Sequence, residues 1–275
     1  MEKQLQIKEM KRTIKKLREW GKMGDNSKFF KRASCIEKRL EKIELLDEPV
    51  TNKQLPLDFK INNRSGKEVL NIKNYDLNIS NRTLISDLNL ILDYGDKVCL
   101  MGKNGCGKST LIKSILNSNS SNIKLGSNIS VGYIPQEITF DNNKDTVLDV
   151  ARKFFIGEES NLRSALSKYM FYNEMVFKRV GTLSGGEKVR LKLFELIEKK
   201  ANFLILDEPT NHIDIDTREV LEEALNNYEG TLLFISHDRY FINKLASKIL
   251  YIEDNKLKEY CGNYDYYKEK MKWLW

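Results

Sequence analysis

No stretch of this sequence approaches the roughly 18 to 20 consecutive apolar residues of a membrane-spanning helix. The N-terminus alternates Lys, Glu and Gln where a secretory leader would carry an apolar core. Both absences predict a cytoplasmic protein with no membrane insertion. Cysteine is sparse and scattered: Cys35, Cys99, Cys106 and Cys261 form no C-x-x-C pair. That spacing indicates neither a zinc site nor a disulfide framework, and predicts reduced thiols. Histidine is scarcer still, with only His212 and His237. Excess positive charge is missing from most of the chain. The net charge is +7, yet residues 1–42 alone carry 14 Lys+Arg against 6 Asp+Glu, which leaves the remainder close to neutral. A length of 275 residues suits one large α/β domain with an appendage.

The appendage comes first. Met10, Ile14 and Leu17 have helical spacing among Lys, Arg and Glu, and predict a helix over residues 1–20. Gly21 and Gly24-Asp25-Asn26-Ser27 break it. A second helix starts near Ser27 as N-cap and runs through Ile36, Leu40 and Ile43 to Glu48, before Pro49. Residues 1–48 thus read as a basic helical hairpin with Trp20 near its tip. Charge alone leaves two readings open, a polyanion-binding surface with RNA first in line, or a solvated coiled-coil-like arm. Residues 49–67, with Pro49, Pro56, Asn62-Asn63 and Gly66, read as a connecting segment. Short strands are expected at Val69–Ile72, Leu77–Ile79, Leu84–Ile85 and Leu88–Leu92.

The chemistry-bearing stretch is Gly102-Lys103-Asn104-Gly105-Cys106-Gly107-Lys108-Ser109-Thr110, which fits G-x-x-x-x-G-K-[ST]. It lies between a strand-like run, Lys97 to Met101, and the helical spacing of Leu111 to Leu116. Glycines at such a turn let backbone N–H groups converge on phosphate oxygens at a helix start. Lys108 would reach the β- and γ-phosphates, and the Ser109 hydroxyl would hold Mg²⁺. Ile129 to Ile134 reads as a strand leading to Pro135-Gln136, and residues 145–182 as a helical insertion. Its end, Leu183-Ser184-Gly185-Gly186-Glu187, precedes another helix; taken alone, it is better read as a plain turn. Phe203-Leu204-Ile205-Leu206 is a buried parallel strand delivering Asp207-Glu208 at its ligand-binding edge. Alternation along a strand points the two carboxylates to opposite sides. Asp207 is expected to hold Mg²⁺ and Glu208 to deprotonate the attacking water. Thr231 to Ile235 delivers Ser236-His237-Asp238, with His237 near the γ-phosphate, whereas His212 reads as a structural histidine.

These residues, in this order, resemble the ATP-binding-cassette superfamily over roughly residues 69–260. The resemblance implies an α/β fold, a mixed sheet with an antiparallel β-subdomain and a helical insertion, spanning 68–262. It identifies Gln136 as the glutamine loop, with catalytic and Mg²⁺-binding roles. Ser184, Gly185, Gly186 and Glu187 become the signature that closes in trans on ATP held by a second cassette. By the family's register the adenine contact falls near Ile79, where an aromatic residue is expected; Tyr75 is an alternative. Asn202 to Asp214, Ser236 to Phe241 and Gly262 to Tyr267, opening the tail 263–275, are similar to the ABC-F subgroup. Membership implies an ATPase associated with the ribosome through residues 1–42, contacting rRNA or tRNA, in translation or antibiotic resistance. It also implies that the chain is the end of an interdomain linker plus a second cassette. The partner is then a second copy or a separate N-terminal half. Two other readings stay open at this stage, the ATPase subunit of a membrane transporter and a non-catalytic RNA-binding fragment.

Overall fold

The computed structural model describes Thr13, Ile14, Ser34, Ile36 and residues 57–272, except Asn81, Ser118, Asn119 and His212. The chain separates into two units, Met1–Lys53 and Gln54–Trp275. In the first, the four described residues are helical. The rest of the expected hairpin, including Trp20 and Cys35, lies outside the described residues, as do Pro49, Pro56 and His212.

The second unit begins with a hairpin of two 12-residue strands, β1 (Glu68–Ile79) and β2 (Arg82–Asp93), where the sequence pattern predicts four short ones. The reason is local. Asn74 and Asp87 adopt left-handed backbone conformations (φ 47° and 49°) inside these strands, and the register shifts around Tyr75. Such bulges break the alternation of buried residues without ending the pairing. Side chains replace ladder bonds there: Asn74 N–H donates to Asn89 Oδ1 (3.0 Å) and Asp87 N–H to Asp76 Oδ1 (2.8 Å).

β3 (Lys97–Gly102) leads through the glycine loop into α1 (Lys108–Asn117). Then come β4 (Ile123–Leu125), a strand the sequence pattern does not signal, and β5 (Val131–Ile134). The helical insertion forms α2 (Val147–Arg152), α3 (Glu159–Lys168) and two 3-10 turns, Asn173–Phe177 and Val180–Thr182. There follow α4 (Gly185–Lys199), β6 (Phe203–Asp207), α5 (Ile215–Asn227), β7 (Thr231–Ile235), α6 (Arg239–Leu245), β8 (Lys248–Glu253), β9 (Lys256–Cys261) and α7 (Tyr264–Lys272).

β1 pairs antiparallel with β2 and β4 in a three-stranded sheet. The larger sheet has the order β5-β6-β7-β3-β8-β9 and is parallel except for the β8–β9 hairpin. Its central strands are buried on both faces, as a parallel sheet between two layers requires. Alternation then divides each strand between two cores. Leu204 and Leu206 of β6, with Leu232 and Phe234 of β7, join the core under α4, α5 and the insertion. Phe203 and Ile205, with Leu233 and Ile235, join the core beneath α1 and the β1–β2 hairpin. Each such side chain contributes about 1.5 to 3 kcal/mol on burial. The same phase carries the next odd position, Asp207, toward the side of α1.

Candidate functional site

The site grows from three strand ends that lie side by side in the sheet, those of β3, β6 and β7. The loop from Gly102 to Lys108 is possible only with glycine at its turning points. Gly105 and Gly107 have φ of 79° and 110°. At Gly107 a Cβ would lie 3.1 Å from Leu84 Cδ1 and 3.2 Å from Leu77 Cδ2. The glycine therefore serves both the backbone conformation and close packing against the β1–β2 hairpin. The Lys108 ammonium donates to the carbonyl oxygens of Gly102 (2.9 Å) and Lys103 (3.2 Å), folding over the mouth of its own loop.

A cavity of about 690 Å³ opens over this loop. Asn104, Gly105 and Gly107 to Thr110 form its floor, Gln136, Asp207, Glu208 and His237 one side, and Ile79, Arg82 and Leu84 the other. The residues expected to act together are thus brought together. Gly102, Lys103 and Cys106 of the loop do not line this cavity; Lys103 and Cys106 line a smaller one of about 220 Å³ toward the β8–β9 turn.

Asp207 hydrogen-bonds the Ser109 hydroxyl; burial pushes its carboxyl above the ordinary range, against that bond and the charge of Lys108. Ser109, Asp207 and Gln136 offer hydroxyl, carboxylate and carboxamide oxygens, the hard donors that Mg²⁺ takes, so the donor set fits that ion.

Glu208 departs from the expectation that it would face away from Asp207. β6 ends at Asp207, and Glu208 follows with φ 53°, so strand alternation does not reach it and both carboxylates line the cavity. Burial raises the Glu208 carboxyl, opposed by the neighbouring His237. Its Oε1 atom is buried, has no hydrogen-bond partner among the described residues, and lies 3.4 Å from His237 Nε2. A left-handed glutamate with an orphaned buried oxygen is a strained, unsatisfied group of the kind found where chemistry is done.

Ser184 to Glu187 stand apart from this cavity. Ser184 is the N-cap of α4: its hydroxyl accepts from Glu187 N–H (3.3 Å), and the Glu187 carboxylate accepts from Ser184 N–H (2.6 Å) and from Lys178 Nζ (3.0 Å). Gly185 lines a second cavity of about 450 Å³, which it shares with Gln136 and Glu208. Tyr75, the alternative adenine contact, does not line the 690 Å³ cavity, and its hydroxyl donates to Ser114 Oγ on α1 at 3.3 Å.

Arg82 was not legible as a site residue. Only the pairing shows that Arg82 stands directly opposite Ile79. Arg218 was also missed: it bridges Glu222 and Asp238, the residue after His237.

A sequence model of the ABC transporter family matches residues 85–211. The chain is 43% identical over 246 residues to the putative ATP-binding protein YdiF of Bacillus subtilis, covering 87% of this chain and 38% of that protein. It is 38% identical to ABC transporter F family member 5 of Arabidopsis thaliana, covering 87% and 36%. The chain therefore spans less than half the length of either relative. Its fold is similar to the ATP-binding cassette MJ0796, solved as a dimer in a post-hydrolysis state with ADP and Pi (TM-score 0.57, 19% identity, 70% of this chain and 98% of that one). With the phosphate loop, the acidic strand end and the histidine gathered around one cavity on this fold, the chain carries an ATP-binding cassette and belongs to the ABC-F group of the ATP-binding-cassette superfamily.

Proposed function

We propose that this cassette binds ATP with Mg²⁺ in the cavity over the glycine loop and hydrolyses it to ADP and phosphate. The observation that carries the reading is the meeting of Lys108, the Ser109–Asp207 pair, Glu208 with its unpartnered oxygen, and His237 around one cavity. The loop amides and Lys108 hold the phosphates, the ammonium exchanging its two carbonyl partners for phosphate oxygens. Ser109, Gln136 and Asp207 would hold Mg²⁺, which supplies charge neutralisation at the β- and γ-phosphates. Glu208 takes a proton from water as its oxygen attacks the γ-phosphorus, and the bond to the bridging β-γ oxygen breaks. His237 hydrogen-bonds the γ-phosphate and stands beside Glu208.

The signature Ser184 to Glu187 lies outside the cavity on its own cassette, which supports a role in closing on the nucleotide of a second cassette, from another copy or a separate N-terminal half. The dimeric state of the similar cassette points the same way. The organisation that goes with this reading is a basic segment 1–48, a connection 49–67, a cassette 68–262 and a tail 263–275. The charge of residues 1–42 supports docking on rRNA or tRNA, so that ATP binding and hydrolysis would drive engagement with and release from the ribosome. The test is co-sedimentation of the Glu208→Gln chain with ribosomes, with and without ATP, across a salt series. ATP-dependent pelleting is expected. Pelleting that responds to salt and ignores ATP would separate RNA binding from the cassette and overturn the coupling, and no pelleting would overturn the ribosome reading.

A further inference from the structure

Gln136, Glu208 and Asn211 line both the cavity of about 690 Å³ and the cavity of about 450 Å³. The first two have roles above; Asn211 has none. Its place follows from a tight turn at the end of β6. Glu208 N–H donates to Ile235 O on β7 (3.0 Å), and Asn211 N–H donates back to Glu208 O (3.2 Å). Pro209 presets the φ that the second residue of such a turn needs, so Glu208-Pro209-Thr210-Asn211 closes as a β-turn. The chain is thereby returned on itself, and the Asn211 and Glu208 side chains stand together at the boundary of the two cavities. Asn211 is exposed, and its carboxamide has no hydrogen-bond partner among the described residues. Fold stability gives no reason for an amide at this position.

We propose that Asn211 holds the attacking water against Glu208 of the same chain. The inference rests on the hydrolytic reading of the main cavity. A water that attacks with one lone pair has two O–H groups to place, and Glu208 accepts only one of them. The neighbouring acceptors are already engaged: Asp207 is bonded to the Ser109 hydroxyl, Gln136 joins them as a metal ligand, and His237 stands beside Glu208 Oε1 and serves the γ-phosphate. Asn211 is left. Its Oδ1 accepts the second O–H while its Nδ2 donates to a γ-phosphate oxygen, so the two acceptors fix which lone pair faces phosphorus. As the water oxygen bonds to the γ-phosphorus and the bond to the bridging β-γ oxygen breaks, one proton passes to Glu208. The other stays on the oxygen and leaves in the phosphate, and Asn211 ends with the protons it began with. The second cavity leaves room for water on the far side of these three side chains when a nucleotide fills the first.

The test compares Asn211→Ala, Asn211→Leu and Asn211→Gln in the full chain with Mg²⁺ and ATP, by turnover, calorimetric ATP affinity and thermal unfolding. In the Asn211→Ala and Asn211→Leu chains kcat is expected to fall at least about tenfold with ATP affinity held within about threefold, as for a contact made only in the transition state. Thermal unfolding is expected to stay unchanged, because the carboxamide has no partner in the fold. Asn211→Gln keeps the carboxamide on a longer stem and is expected to recover part of the lost turnover. Turnover by the Asn211→Ala chain within about twofold of the unaltered chain overturns the inference and leaves the hydrolytic reading intact. So does a fall in ATP affinity that matches the fall in turnover, or an Asn211→Leu chain as active as the Asn211→Gln chain. Absence of hydrolysis by the unaltered chain overturns the hydrolytic reading itself.

Discussion

His237 Nε2 lies 3.4 Å from Glu208 Oε1, a buried oxygen that has no hydrogen-bond partner among the described residues. The carboxylate is enclosed and the imidazole largely open, with side-chain exposures of 8% and 66%. This arrangement suits a base whose remaining contact is with an incoming water and its partner histidine. Glu208→Gln keeps the shape and removes the ability to take a proton. Phosphate release is expected to fall at least about a hundredfold, with ATP affinity retained. Turnover close to that of the unaltered chain would place the base elsewhere.

Lys108 serves a different step. Its ammonium is held by two loop carbonyls, and nothing in the core depends on it. Lys108→Ala is expected to leave thermal stability within about 0.5 kcal/mol and to weaken ATP binding by about a hundredfold. Direct calorimetric binding checks both; retained affinity would refute the phosphate role.

Much of this was legible because one kind of signal dominates it. β6 and β7 are continuous apolar runs, so their ends, and with them Asp207 and His237, can be placed from the sequence. The spacing of Gly102 to Thr110 likewise specifies the loop. What failed was signalled by no local pattern. The bulges at Asn74 and Asp87 exchange ladder bonds for side-chain bonds, so two long strands look like four short ones. Glu208 leaves strand geometry one residue earlier than alternation assumes, and a left-handed glutamate has no sequence signature. Tyr75 reads as a ring available to a ligand until its bond to Ser114, 39 residues away, is seen.

The start of α4 carries a prediction about acid. Ser184 and Glu187 cap one another, and Lys178 adds a charge contact to Glu187. Burial raises the Glu187 carboxyl, but the bonds from Ser184 and Lys178 outweigh it and hold the group below its ordinary value of 4.5. A carboxylate with a lowered folded pKa contributes stability that is complete above its unfolded value. That contribution is lost as pH falls through the folded value. Glu187→Gln is therefore expected to reduce stability at neutral pH and to flatten the loss below 4.5. Ser184→Ala is expected to cost about 1 kcal/mol at neutral pH. Urea titrations across the pH range measure both. An unchanged acid limb in Glu187→Gln would show that other carboxylates control it.

Asn202 ties three segments at once. Its amide donates to the carbonyls of Asn63 (2.8 Å) and Asn128 (2.7 Å), and its oxygen accepts from Ser130 N–H (2.8 Å). The residue is 2% exposed and directly precedes β6. Asn202→Ala is expected to cost about 2 kcal/mol. Asn202→Asp should cost more, because a charged acceptor would then face two carbonyl oxygens. A smaller loss for Asp than for Ala in chemical denaturation would contradict this assignment of the amide.

Arg218 on α5 links the core to the loop bearing His237. Its Nε donates to buried Glu222 (2.9 Å), which Lys244 of α6 also contacts at 3.1 Å, and its Nη2 pairs with Asp238. The other oxygen of Asp238 caps α6, accepting from Tyr240 and Phe241 N–H at 2.9 and 3.1 Å. Arg218 thus holds one side of the turn in which His237 sits, without touching the cavity. Arg218→Ala leaves Glu222 with a single cation and frees half of Asp238. It is expected to cost about 2 kcal/mol, discounted because Arg218 is partly exposed. If the pair positions His237, kcat for ATP hydrolysis falls several-fold more than ATP affinity. Arg218→Lys, which keeps the charge but cannot bridge two carboxylates with a planar fork, should recover stability better than kcat. Parallel recovery of both in the lysine variant would mean that the bridge serves stability alone.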